Sequence, residues 1–174
     1  MRIVSPLIAP SLLIMALLAS PAAAQTLALT GPEGQSLTLS AADLAALPRQ
    51  SVTFAGHGES HVYEGPLLID VLAKVGAPTG KALRGQALAD VVLVEAGDGY
   101  KVAFGLAEAD PGTRPNRIIV ADKADGASLG EGQGPFRLIV EGDLRPARGA
   151  RMISAIKVLR LGDKSPSNAP AHKH

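Results

Sequence analysis

The sequence predicts a single α+β domain, mainly β, with short helices. Three observations carry that expectation. Short runs of β-branched and apolar residues recur along the chain between glycine- and proline-containing turns, the pattern of a many-stranded domain. Apolar residues at helical spacing occur only in a few short stretches. After an N-terminal leader-like segment, 150 residues remain, enough for one hydrophobic core. The chain has no cysteine, so that core and not cross-linking must supply its stability.

Residues 1–24 read as a signal peptide. Arg2 gives a minimal positive region, Leu7 to Ala19 an apolar stretch, and Ala22-Ala23-Ala24 a small-residue cleavage site before Gln25. Pro6, Pro10 and Pro21 interrupt the segment and argue against a membrane anchor, and there is no cysteine for lipid attachment. The expectation is an exported protein, periplasmic or secreted, with no stable membrane insertion after cleavage.

The domain is expected over residues 25–162. Leu27 to Thr30 and Ser36 to Leu39 alternate around Gly31-Pro32-Glu33-Gly34 and predict an opening hairpin. Ser40 is a candidate N-cap with Asp43 in the first turn, Leu44 and Leu47 form a short apolar face, and Pro48 ends the helix. Val52 to Ala55 predicts a strand, Gly56 to Ser60 a loop, and His61-Val62-Tyr63 a second short strand. Pro66 is placed in the first turn of a helix carrying Leu67, Leu68, Val71, Leu72 and Val75, with Gly76 as its stop. Asp90 to Glu95 and Tyr100 to Phe104 are paired strands around the Gly97-Asp98-Gly99 turn. Leu106 to Ala109 predicts one helical turn before Pro111. Arg117 to Ala121 and Arg137 to Val140 do not alternate and so predict strands buried on both faces. Ile156, Val158 and Leu161 are placed on the closing strand, after Ile153, and residues 163–174 in a disordered tail.

Charge and residue content exclude several classes of function. Without Arg2 the mature chain carries sixteen basic and sixteen acidic residues, a balance that argues against nucleic acid or an anionic membrane as the main partner. The absent cysteine removes sulfur nucleophiles, thiolate metal ligands and thiol redox couples. Ser60, Ser128 and Ser154 show no nucleophile-elbow context, and no phosphate loop or dinucleotide fingerprint occurs.

The candidate site lies in the loop after the Phe136 to Val140 strand, which carries Arg145, Arg148 and Arg151 among proline and glycine. Loops on a rigid scaffold carry most binding chemistry, and a guanidinium is a planar donor fork suited to anions and heterocycle edges. The alternative is solvation, or pairing with Glu141 and Asp143. Tyr100 and Asp98 join the candidates because flanking glycines let the backbone approach closely at that turn; the alternative is that Gly97 and Gly99 merely make a hairpin and Tyr100 packs as a strand residue. His57, between two glycines, can offer a loop imidazole that bonds a ring edge or titrates near neutrality. His57 and His61 have metal-pair spacing only on a helix, which Gly58 and the strand-like Val62-Tyr63 disfavour, so no metal site is expected. Arg137, inside an apolar strand, needs a partner if it points inward, Glu131 or Asp122 being candidates. Arg114 and Arg117 read as solvated.

Taken in order, these segments resemble the molybdopterin-binding domain family of sulfite oxidase. Glu64-Gly65-Pro66-Leu67-Leu68-Ile69-Asp70-Val71-Leu72 is similar to that family's F-x-G-V-P-L-x-D-L-L segment, and Asp98-Gly99-Tyr100 to its DGY turn. Glu108-Ala109-Asp110-Pro111 resembles its acidic-proline step. Ile118 to Asp122 with Gly126 and Leu129 resembles its L-L-A-x-x-x-x-G-x-x-L strand and turn. Gly134-Pro135-Phe136-Arg137-Leu138-Ile139-Val140 is similar to its G-P-x-R-L-V-V-P strand, and Arg148 to Arg151 to the basic stretch before its last strand. The likeness runs over roughly residues 27–161.

The resemblance implies that family's fold and a pocket for a pterin or molybdopterin-type ligand. Catalytic members of the family hold molybdenum through one cysteine thiolate, and this chain has none. The loosely corresponding segment, Thr53 to Glu64, offers His57, Glu59, Ser60 and His61, which do not replace a soft sulfur donor. Small exported relatives without the cysteine resemble pterin-binding proteins that report ligand to a membrane-bound signalling partner. The expected function is therefore non-catalytic pterin-like binding through Arg148, Arg151, Tyr100, His57, Arg145 and Asp98, with no catalytic residue and no metal ligand assigned. With five aromatic side chains in the chain, arginine stacking is expected to supplement ring stacking. The alternatives are a molybdopterin-dependent oxidoreductase (or subunit of one) working with a redox partner, and a structural adaptor that lost its pocket.

Overall fold

The computed structural model describes residues 25–56 and 58–161. The expected signal peptide, His57 and the expected tail, including His172 and His174, lie outside the described residues. The strands in chain order are β1 (Thr26–Thr30), β2 (Ser36–Ser40), β3 (Arg49–Gly56), β4 (Glu59–Pro66), β5 (Val91–Ala96), β6 (Lys101–Gly105), β7 (Ile118–Ala121), β8 (Lys123–Ala124), β9 (Ala127–Ser128), β10 (Arg137–Val140) and β11 (Ile153–Leu159). Two short α-helices, α1 (Ala41–Ala45) and α2 (Leu68–Ala73), and single 3-10 turns such as Leu106–Ala109 and Pro146–Arg148 complete the described elements. The mainly β, α+β expectation matches this content.

The strands form three sheets. A five-stranded sheet runs β2-β1-β11-β5-β6, with β1 and β11 parallel and the other neighbours antiparallel. A four-stranded sheet runs β3-β4-β8-β9, and β7 pairs with β10 between them. The five-stranded sheet alternates as a half-buried sheet should: Leu27 and Leu29, Val92 and Val94, and Val102 and Phe104 point into the main core, where α2 adds Leu68, Val71 and Leu72. The residues of β7 and β10 are buried throughout. Their alternate side chains serve two cores: Ile118, Val120, Leu138 and Val140 join the main one, while Ile119, Ala121 and Ile139 pack with Val52, Phe54 and Tyr63. Burial on both faces is why these runs do not alternate in hydrophobicity.

Local signals in the sequence hold at several places. Ser40 caps α1 through a reciprocal box, its hydroxyl accepting from the Asp43 N–H at 3.2 Å while the Asp43 carboxylate accepts from the Ser40 N–H at 2.8 Å. Gly99 adopts φ +86° in the β5–β6 turn, a conformation that disfavours any residue with a Cβ. Pro66 is corrected: it is the last residue of β4, and Leu67 is the N-cap of α2. Leu161 likewise falls beyond the end of β11. The stretch expected as a loop over Gly56 to Ser60 belongs largely to the β3–β4 hairpin, where Gly56 pairs with Glu59 and Ala55 with Ser60. At Gly65, a Cβ would lie 2.0 Å from the Val120 carbonyl oxygen, so glycine allows β4 to pack directly on β7.

Candidate functional site

Strand parity assembles the site. In β4, Glu59, His61 and Tyr63 share one face; in β10, Arg137 shares the face of Ile139, which is turned toward Tyr63. Between these strands, the β5–β6 turn and the loop before β11 lies a cleft of about 610 Å³. Glu59, His61 and Tyr63 line it on one side, Asp98 and Tyr100 on another, with Gln133, Arg137, Arg145 and Arg151 completing its polar lining. A smaller groove of about 290 Å³ adjoins it and shares His61, Tyr63 and Gln133.

Of the residues singled out from sequence, Arg145, Arg151, Asp98 and Tyr100 line the cleft together. Tyr100 is half-exposed, and its hydroxyl donates to the Ala147 carbonyl at 2.6 Å, which ties the β5–β6 turn to the Pro146–Arg148 turn. Asp98 accepts from the Tyr100 N–H at 2.9 Å and so fixes that turn. Arg145 and Arg151 are exposed and have no ion-pair partner among the described residues. His57 lies outside the described residues.

Arg148 is a correction. It does not line the cleft: its Nε and Nη2 donate to the two Asp143 oxygens at 2.9 and 2.6 Å, and Nη1 donates to Glu108 at 3.2 Å. The guanidinium also lies 4.9 Å from the centre of the Phe104 ring. Asp143 foremost, then Glu108, raises its already high pKa. Its charge is balanced inside the fold by these two carboxylates. Arg117 is not solvated either; it makes a two-pronged contact with Glu141, at 2.9 and 2.6 Å, and that partner holds the Glu141 carboxyl down to about 2.

Arg137 is the opposite case. It is 8% exposed, and its Nη1 donates to the Tyr63 hydroxyl at 2.7 Å and to the Gln133 side-chain carbonyl. Its guanidinium lies 4.9 Å from the Tyr63 ring centre. Neither Glu131 nor Asp122 bonds it; Asp122 is bound by Arg49, at 3.1 and 2.5 Å. No carboxylate pairs with Arg137 among the described residues, and its buried Nε donates to nothing there. Burial, chiefly, and the neighbouring Arg151 charge depress its pKa. A buried charge without a counter-charge is costly, so the cleft floor favours an incoming acceptor or anion.

His61, Glu59, Tyr63 and Gln133 were not singled out as ligand-facing. The alternation of Glu59, His61 and Tyr63 was available as a signal once the hairpin was taken to turn at Gly58. The Asp125-Gly126 pair was a stronger one, because Asp-Gly is the preferred sequence of a tight hairpin. Both residues adopt positive φ, +51° and +79°, between β8 and β9, and Asp125 thereby reaches His61 Nδ1 at 2.7 Å.

No protein-family model matches the sequence, and no curated protein sequence matches it. Among solved structures, the fold is similar to the sulfane dehydrogenase SoxCD from Paracoccus pantotrophus, with a TM-score of 0.60 and 17% identity. The likeness covers 78% of this chain and 38% of that one, so the present chain matches well under half of the neighbour's length. It is a likeness of fold alone.

Proposed function

We propose that this protein binds a pterin-type heterocycle in the cleft over Arg137, without catalysing a reaction itself, and relays occupancy to a membrane-bound signalling partner from an exported location. The observation that carries the binding is the Arg137 guanidinium, which has no carboxylate partner among the described residues and lines a cleft that also bears Arg145 and Arg151. A flat ring with acceptor atoms, or an anionic substituent, supplies what those donors lack, and the exposed Tyr100 offers aromatic surface. Relay requires that the bound and free forms differ in affinity for the partner. The test is calorimetric titration with a reduced pterin: wild-type protein binds, and the Arg137→Ala/Arg151→Ala double variant binds at least about tenfold more weakly, on the order of 1.4 kcal/mol. Equal affinity would remove these residues from the site.

The fold likeness to a dehydrogenase favours a second reading, an oxidoreductase or oxidoreductase subunit built on a molybdopterin-type cofactor. The arginines fit the anionic organic part of such a cofactor. The metal does not fit this chain: the cleft offers oxygen and nitrogen donors from Glu59, His61 and Asp98 where the family uses a thiolate, and no cysteine exists. Molybdenum at one equivalent in protein isolated from its native host would decide for this reading.

A further inference from the structure

His61 stands where the two chambers meet. It lines both the 610 Å³ cleft and the 290 Å³ groove, so a ligand extending from one into the other passes its ring. We propose that His61 is a ligand-binding residue at this waist, and that the ligand is taken up together with a proton on its Nε2. The proposal rests on the reading that the cleft holds an acceptor-rich or anionic molecule.

The argument begins with the tautomer. One Asp125 oxygen lies 2.7 Å from Nδ1, and the other accepts the Val62 N–H at 2.9 Å, so the carboxylate is fixed from two sides. An ionised carboxylate requires a hydrogen on Nδ1, which in the neutral ring leaves Nε2 as a bare acceptor. Protonation turns that atom into a donor. The basic groups that also line the cleft, Arg137, Arg145 and Arg151, present donors, so the ligand they select meets a lone pair when His61 is neutral and a further donor when it is charged.

The surroundings favour the charged form without using up its Nε2 hydrogen. Glu59, two residues earlier on β4, lies 3.6 Å from Nε2, within ion-pair range and beyond good hydrogen-bond distance. Asp125 principally, with Glu59 adding, raises the imidazole pKa, and desolvation opposes them. Tyr63 meets the ring edge-on at 6.1 Å, Glu131 lies in the smaller groove, and Asp98 faces the larger one. The nearby carboxylates act on the free protein as well as the complex, so what a ligand adds is its own acceptor.

The test is isothermal titration of the full chain with two probes, a reduced pterin and sulfate, from about pH 5.5 to 8.5, sulfate being the probe whose own charge stays fixed over that range. Wild type is expected to bind at least one probe about fivefold or more tightly at the lower pH, with proton uptake seen in buffers of different ionisation enthalpy. His61→Gln should keep the weaker, high-pH affinity and lose the slope; Asp125→Asn should move the midpoint to lower pH. Nitrogen NMR of wild-type His61 gives an independent readout: ligand should raise its pKa further. A flat wild-type profile, an unchanged slope in His61→Gln, or an imidazole pKa unmoved by ligand overturns the proposal alone. Absence of binding by both probes at every pH overturns it together with the binding function.

Discussion

Arg137, on β10, and Arg148, in the Pro146–Arg148 turn, each place the guanidinium 4.9 Å from an aromatic ring centre, Tyr63 in one case and Phe104 in the other. They differ in counter-charge. Arg148 is held by Asp143 and Glu108, whereas Arg137 has a phenol and an amide as partners and one buried nitrogen with none. The lesson is that an arginine's part in a binding site is read from what the fold leaves unbalanced. Arg148 is neutralised within the fold; Arg137 has no counter-charge among the described residues.

The sharpest test of the contrast is Arg137→Met. Truncating a buried donor that a ligand uses should cost roughly 2 kcal/mol or more of affinity, about thirtyfold, while the melting temperature holds or rises because an unpaired buried charge is gone. A large loss of thermal stability would show that Arg137 is structural after all. Arg148→Ala should behave in reverse: about 1–2 kcal/mol less stable in urea unfolding, with ligand affinity unchanged within about twofold. Reduced pterin affinity in a well-folded Arg148→Ala protein would erase the distinction.

The internally balanced class also carries a pH signature, seen in Arg117 and Glu141. The Glu141 carboxyl is depressed from 4.5 to about 2, so its stabilising contribution is complete above the ordinary glutamate range and is lost as pH falls from about 4.5 toward 2. Glu141→Gln should lower stability at neutral pH by about 1 kcal/mol and flatten that part of the acid-unfolding curve. An acid-unfolding curve identical to wild type would deny the pair its role.

What was legible in the sequence follows the range of the interactions. The α1 capping box spans three residues, and the Gly97-Asp98-Gly99 turn is complete within its own segment, so both could be read locally. The non-alternating β7 and β10 runs correctly indicated burial on two faces. The Glu59-His61-Tyr63 face was missed because a glycine-rich hairpin end looks like a loop until its pairing with β3 is known. The requirement that an inward Arg137 find a partner was also legible. Its identity was not, because the Tyr63 hydroxyl lies 74 residues away in the chain, and the expected carboxylate of Asp122 is taken by Arg49.

The sequence by itself determined a mainly β, α+β fold, its local turns and caps, and the absence of any thiolate ligand. Those depend on residue type, period and near neighbours. Only the tertiary structure decided which arginine is neutralised and which is left facing a cleft. Charge balance depends on distances between strands that are remote in sequence, and composition alone, sixteen against sixteen, says nothing about where the balance fails.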